Sequence, residues 1–320
     1  MTQRPARPRS SRPRPPRPQR RGGRTPHAAP RAPAPAEGIL HGINAVEAAL
    51  LARRRALRRL HLKAGPASPA LERLRALAAA AAVPVHEGSL DELEALARGG
   101  HHQGTVLECG PLPLQDEASA LAPGRAWAQT PVEARRQPPP LLLALDQVED
   151  PRNLGAVVRS AAAFGAAGLV FPRDHSAPLS AVASSASAGA LEHFPLHAVA
   201  NLARFLEQAK EHGFWIAGTA VEGGQRLPTY VHDRPLVLVL GNEGRGLRPL
   251  VARTCDLVLS IPLARPAVPG APGLDAAGLD AAGQGAAEPG AAGPDAGRGL
   301  NVASAAAVLL YHLTALRPRS

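Results

Sequence analysis

The chain is poor in several residues that commonly announce a protein class. It has two cysteines, Cys109 and Cys255, in 320 residues, and their contexts show no metal-ligand spacing. That excludes a disulfide scaffold and fits free thiols in a reducing cytoplasm. Aromatic residues make up only 3%, although the apolar content of 45% is enough for a sizeable core. No run of about 18 consecutive apolar residues occurs, so no membrane span is expected. No apolar signal-peptide core follows the first residues either.

Acid is missing from one region altogether. Residues 1–36 hold ten arginines and ten prolines but no Asp or Glu. These ten arginines equal the formal net charge of +10, so the remainder of the chain is balanced. A segment of this composition cannot build a core and is expected to be a disordered basic tail over residues 1–37. Such an arm neutralises phosphates by releasing counterions, which gives salt-sensitive, sequence-blind affinity for RNA. A solubility tail or an Arg-rich transit peptide has the same composition.

What remains reads as two units. From residue 38 to 111, "INAVEAALLARRRALRRLHLK" predicts a helix, with Asn44 as a possible cap, followed by a strand. "SPALERLRALAAAAAVPVHE" repeats helix and strand behind Ser68, and "SLDELEALARGG" carries a capping box, Ser89 with Glu92. "GTVLECG" closes a small α/β domain. Residues 112–140, ending in "QPPP", read as a partly extended linker. From residue 141 onward, apolar strands alternate with helices, which predicts a parallel sheet covered on both faces. Residues 264–299, with "GLDAA" twice in tandem, read as a low-complexity loop inserted in this second domain.

Ligands of open α/β sheets bind beyond the carboxyl ends of the strands. Three stretches fall there: "DQVEDPRNLGAVVR", "GNEGRGL", and "IPL", resuming after the insertion as "LNVASAAA". Gly241, Gly244 and Gly246 are spaced G-x-x-G-x-G, not G-x-G-x-x-G, and no acid follows where a nicotinamide dinucleotide needs one, so a dehydrogenase is disfavoured. Arg159 stands on a helix of small apolar residues, where a charge is costly if buried. It either pairs with Asp146, Glu149 or Asp150 or serves a ligand. Asn153 and Asn301 each open a helix, as caps or as site residues, and Glu243 is either a turn carboxylate or a group that orients Arg159 or RNA. His101 and His102 have no metal-ligand partner spacing.

Together, "DPRNLGAVVRSAAAFGAAGLV", "LVLVLGNEGRGL" and "IPL…LNVASAAAVLL", in this order, resemble the three motifs of the SpoU (TrmH-type) RNA ribose 2′-O-methyltransferases. "SASAGALEHFPL" between the first two is similar to the same family, and "GINAVEAAL" and "HHQGTV" resemble its N-terminal RNA-binding domain. The resemblance implies a trefoil-knotted α/β methyltransferase domain acting as a homodimer on RNA, most closely the branch that modifies guanosine in 23S (large-subunit) rRNA. It implies S-adenosylmethionine bound by Gly241, Ile261, Leu263 and Leu300, and a catalytic set of Arg159, Asn153, Glu243 and Asn301. No metal is required to move a methyl group from a sulfonium. A tRNA ribose methyltransferase, or a catalytically weak ribosome-assembly protein of the same fold, are the alternatives.

Two departures bear on activity. The family commonly reads S-L-N-V-S at motif three, where Gly299-Leu-Asn-Val-Ala303 stands here, with Ser304 one position late and turned ~100° away on a helix. The insertion then separates Leu263 from Leu300, where the family has only a few residues. Loop-closure entropy grows slowly with length, so the fold tolerates it.

Overall fold

The computed structural model describes residues 38–66, 68–263 and 299–315. The expected basic tail, and the insertion apart from Gly299, lie outside the described residues. The N-terminal domain is a four-stranded sheet of β1 (Gly38–His41), β2 (Leu57–Lys63), β3 (Val85–Gly88) and β4 (Thr105–Cys109), in the order β1-β4-β2-β3. Helices α1 (Ile43–Ala52), α2 (Pro69–Ala80) and α3 (Leu90–Ala97) connect the strands.

Local chemistry sets the helix starts. Ser68 accepts from the Leu71 amide, and Ser89 and Glu92 form the expected capping box. Asn44 is not a cap: α1 begins after Gly42, and the Ile43 amide is satisfied by Gln103 Oε1 at 2.9 Å, from the loop before β4. Strand β1 carries no clear alternation and was not anticipated.

The stretch 112–140 is not extended throughout. Asp116 caps a 13-residue helix, α4 (Glu117–Gln129), by accepting from the Ser119 amide. Pro123 and Gly124 mask it in the sequence, but Ala120 and Leu121 are buried in one of the two large apolar clusters of the C-terminal domain. Burial of the apolar face outweighs the propensity penalty of those two residues.

The C-terminal domain contains β5 (Leu141–Asp146), α5 (Pro151–Ala163), β6 (Gly168–Pro172), α6 (Ala181–Ala186), β7 (Leu196–Val199), α7 (Leu202–Glu211), β8 (Trp215–Ala220), β9 (Gln225–Arg226), β10 (Leu236–Gly241), α8 (Pro249–Thr254), β11 (Leu257–Ser260) and α9 (Val302–Ala315). Its seven strands are ordered β7-β6-β5-β10-β8-β11-β9, and every pairing is parallel. The stretch "LSAVASSASAGALE" is helical only in part, since α6 stops at Ala186 and a 3-10 turn covers Ala190–Glu192. Residues Leu141, Leu143 and Leu145 face the cluster under α5 and α9, while Leu142 and Ala144 face the one under α4 and α7. Burial on both faces is why the strands read as unbroken apolar runs.

From β5 the chain steps outward to β6 and β7, whereas the neighbour on the other side, β10, is reached only later. The boundary between β5 and β10 is therefore a topological switch point, where a crevice opens beyond the carboxyl ends. Asp146 and Gly241, the last residues of the two strands, are paired across it.

Candidate active site

Three loops leave the sheet at this crevice. The first runs from Asp146 into α5. Its helix is capped by Asp150, whose carboxylate accepts from the Arg152 amide at 2.8 Å. Asn153, expected as the cap, instead lies on the third residue of the helix, leaving its amide free for other partners. The second loop follows β10. Asn242 organises it: the Gly244 amide donates to Asn242 Oδ1 at 2.9 Å and the Gly246 amide to the Asn242 carbonyl at 2.8 Å. The Asn242 side chain also donates to the Gln147 carbonyl at 2.9 Å, tying the second loop to the first.

These bonds give the glycines a role within the turn itself. The amides of Gly244 and Gly246 are consumed inside the turn. At Gly241 a Cβ would lie 2.5 Å from the Gly246 carbonyl carbon, so glycine is required here for the loop to close on itself.

The third loop delivers Asn301 to the start of α9. Asn301 Oδ1 accepts from the Ala303 amide at 2.9 Å, while its Nδ2 donates to Asn153 Oδ1 at 3.1 Å and to Glu243 Oε1 at 3.3 Å. Asn153 Nδ2 also donates to Glu243 Oε1. Asn153, Glu243 and Asn301 thus form one hydrogen-bonded triangle, with one residue from each loop. Asn301 both caps its helix and belongs to the site.

The two motif-three positions that lack a hydroxyl stand in different surroundings. Ala303 packs against the core cluster under α5 and α9, where a hydroxyl would need a partner. A side chain on Gly299 would meet Val221 Cγ2 at 3.1 Å.

Arg159 does not join the triangle. It is exposed on α5, and among the described residues it forms no hydrogen bond or ion pair. The expected cost of a buried charge therefore does not arise, and none of the three nearby carboxylates holds it. Asp146 is already committed. Its fully buried carboxylate accepts from the Arg248 amide at 2.8 Å and from Arg248 Nε at 2.6 Å. The Asp146–Arg248 pair, 102 positions apart, anchors the second loop to the first strand and escaped sequence reasoning.

A cofactor needs its own surface. Strand β11 pairs beside β8, with Ser260 opposite Ala220, which brings Ile261 next to Val221. Val221 is 56% exposed and lies on the Cβ side of Gly299, while Leu263 and Leu300 are each 40% exposed. Exposed aliphatic side chains therefore stand on both segments, and such surface is of the apolar kind that a purine and a thioether need. Among the described residues no group of three or more His, Cys, Asp or Glu side chains could hold a metal ion.

A parallel sheet with three interlocked loops at its carboxyl edge, preceded by a small α/β domain, defines a two-domain α/β protein with a crevice at a topological switch point. Residues 140–267 match the SpoU rRNA methylase family, and residues 39–115 match the RNA 2′-O ribose methyltransferase substrate-binding family. The 23S rRNA (guanosine-2′-O-)-methyltransferase of Pseudomonas putida is 38% identical over 228 residues, covering 70% of this chain and 87% of that one. The corresponding enzyme of Yersinia pestis is 37% identical, covering 71% and 88%. Among solved structures, a SpoU methyltransferase from Streptomyces viridochromogenes in complex with the cofactor AdoMet shares the fold, with a TM-score of 0.60 at 22% identity over 86% of this chain and 88% of that one. The chain belongs to the SpoU family and is an S-adenosylmethionine-dependent RNA ribose 2′-O-methyltransferase.

Proposed function

We propose that the protein methylates the ribose of a guanosine in 23S rRNA, in the cytoplasm, as a homodimer with a knotted catalytic domain. The observation that carries the reading is the triangle of Asn153, Glu243 and Asn301 at the β5–β10 switch point, with the free cation Arg159 on the same helix as Asn153. The relatives named for 23S rRNA guanosine support the choice of substrate.

The Gly241 loop, Ile261, Leu263 and Leu300 would hold S-adenosylmethionine, which would supply the methyl group. The chain's own task is to place a ribose 2′-OH and relieve it of its proton. A guanidinium carries only donors and no acceptor, so Arg159 is not the base. It binds an RNA phosphate and the ribose oxygen, and stabilises the negative charge developing there. The phosphate or a water takes the proton. Glu243 accepts from both asparagines through Oε1, which fixes the carboxylate and leaves its other oxygen to orient the RNA. Much of the acceleration then comes from positioning.

A homodimer is supported by α9, where Val308 and Tyr311 are 41% and 52% exposed one helical turn apart. Helix α9 packs on α5, and Phe164 stacks edge-on against Tyr311 at 6.1 Å.

Incubation with unmodified 23S rRNA and labelled methyl donor, followed by mapping of the modified nucleotide, tests the reading. A single ribose-methylated guanosine is expected. Methyl on a base, or on tRNA alone, overturns it.

A further inference from the structure

The two domains are joined by a buried ion pair that lies outside the triangle and its three loops. Arg55, just past α1, donates through Nε to Glu192 Oε2 at 2.6 Å and through a terminal nitrogen to Glu192 Oε1 at 3.0 Å. Their side chains are 4% and 1% exposed. Arg55 also donates to the Gly110 carbonyl, and Ser184 Oγ donates to Glu192 Oε1 at 2.8 Å. Next to it Arg54 reaches the Phe194 carbonyl at 2.9 Å.

The surrounding backbones fit closely. A Cβ on Gly189 would lie 2.6 Å from the Asn44 carbonyl oxygen and 2.6 Å from Ala48 Cβ, both on α1. On the other side of the same segment, a Cβ on Gly155 of α5 would lie 2.3 Å from the Ala183 carbonyl oxygen. The stretch 183–192 is thus wedged between the substrate-binding domain and the helix that carries Asn153 and Arg159. Gly155 sits between those two residues in sequence. The "SASAGALEHF" segment, which contributes no residue to the triangle, has its role here.

We infer that Arg55 and Glu192, steadied by Ser184, are positioning residues. They fix the RNA-holding domain against α5 so that bound RNA presents its ribose to Asn153 and Arg159. This rests on the proposed substrate reading. A buried charge pair contributes geometry more than stability, because its desolvation offsets its attraction. The bidentate fork with an added hydroxyl bond allows one orientation of the two domains. An apolar seam would tolerate sliding.

The test uses the full-length chain with S-adenosylmethionine and unmodified 23S rRNA. In the Arg55→Met/Glu192→Leu double variant, which strands no charge, cofactor affinity by calorimetry and RNA affinity are expected to stay within a few-fold of wild type. The single-turnover methylation rate is expected to fall about ten- to a hundred-fold, the loss typical of a substrate displaced by about 1 Å. Arg55→Lys, which keeps the charge and loses the fork, should not restore the rate. An unchanged rate in the folded double variant, or a cofactor affinity that falls in step with the rate, overturns the inference. Should the double variant fail to fold, Ser184→Ala decides: a slower rate at an unchanged melting temperature supports the pair's role, and an unchanged rate removes it. Failure of the wild type to methylate rRNA would bring down the substrate reading itself, before any variant is compared.

Discussion

Asp146 and Arg248 hold each other by two hydrogen bonds, one to the backbone amide and one to the guanidinium of the arginine, with the carboxylate wholly buried at the end of β5. The pair closes the loop that carries Glu243 onto the strand that precedes Asn153. Asp146→Asn retains the shape and loses the charge. Because Arg248 is 39% exposed, the cost is expected to stay below the full penalty of a broken buried pair, at about 1–3 kcal/mol. The melting temperature should fall by several degrees, and calorimetry should show weaker S-adenosylmethionine binding. An unchanged affinity would mean that the loop does not need this anchor.

Arg159→Ala removes an exposed side chain without a partner among the described residues. Stability should stay within about 0.5 kcal/mol of wild type, as for other surface changes. Methylation should fall by at least about a hundred-fold, the size of effect seen when a charge-stabilising donor is lost. Cofactor affinity should remain as it was. Thermal melts, calorimetry and labelled-methyl turnover on one preparation separate the three quantities.

Asn301 serves two roles that one substitution can divide. Asn301→Ser keeps an oxygen able to cap α9 and loses the amide that reaches Asn153 and Glu243. Asn301→Ala loses both, at about 1 kcal/mol for the cap. The serine variant should melt near wild type yet be as slow as the alanine variant. Recovery of activity in the serine variant would show that capping is all the residue does.

Gly155→Ala drives a methyl group to 2.3 Å from the Ala183 carbonyl oxygen, so α5 or α6 must shift. A loss of about 1–3 kcal/mol is expected, measurable by urea denaturation.

Burial pushes the thiols of Cys109 and Cys255 up from 9.0 to about 11. The folded chain holds these protons between pH 9 and 11, while the unfolded chain releases them. Their contribution to stability is therefore complete below pH 9 and lost as pH rises through 11. For Cys109, fully buried, the loss approaches about 3 kcal/mol at most. At pH 8 both thiols should alkylate far more slowly than a free cysteine, until denaturant exposes them.

Sequence and structure agree where a signal is local. The caps at Ser68 and Ser89 need only a hydroxyl and an amide three residues on, and the structure forms both. Asn153, Glu243 and Asn301 could be named because each sits in a short motif at a strand end. Their mutual bonds span 58 to 148 positions, which no local pattern encodes. The Asp146–Arg248 and Arg55–Glu192 pairs are illegible for the same reason: their partners lie 102 and 137 positions apart, and nothing local matches one to the other. Helix α4 was missed because Pro123 and Gly124 speak against a helix, while the packing of Leu121 that overrides them is tertiary.

The double duty of Asn301 has a consequence for biosynthesis. Its carbonyl oxygen ends the backbone of α9 while its amide completes the triangle, so fraying of that first turn and opening of the site are one event. Domains fold in the order in which they are made. A nascent chain therefore has the complete β1–β4 sheet long before Asn301 emerges. The site is completed only when its last helix closes, as the last of the described elements of the chain to be made.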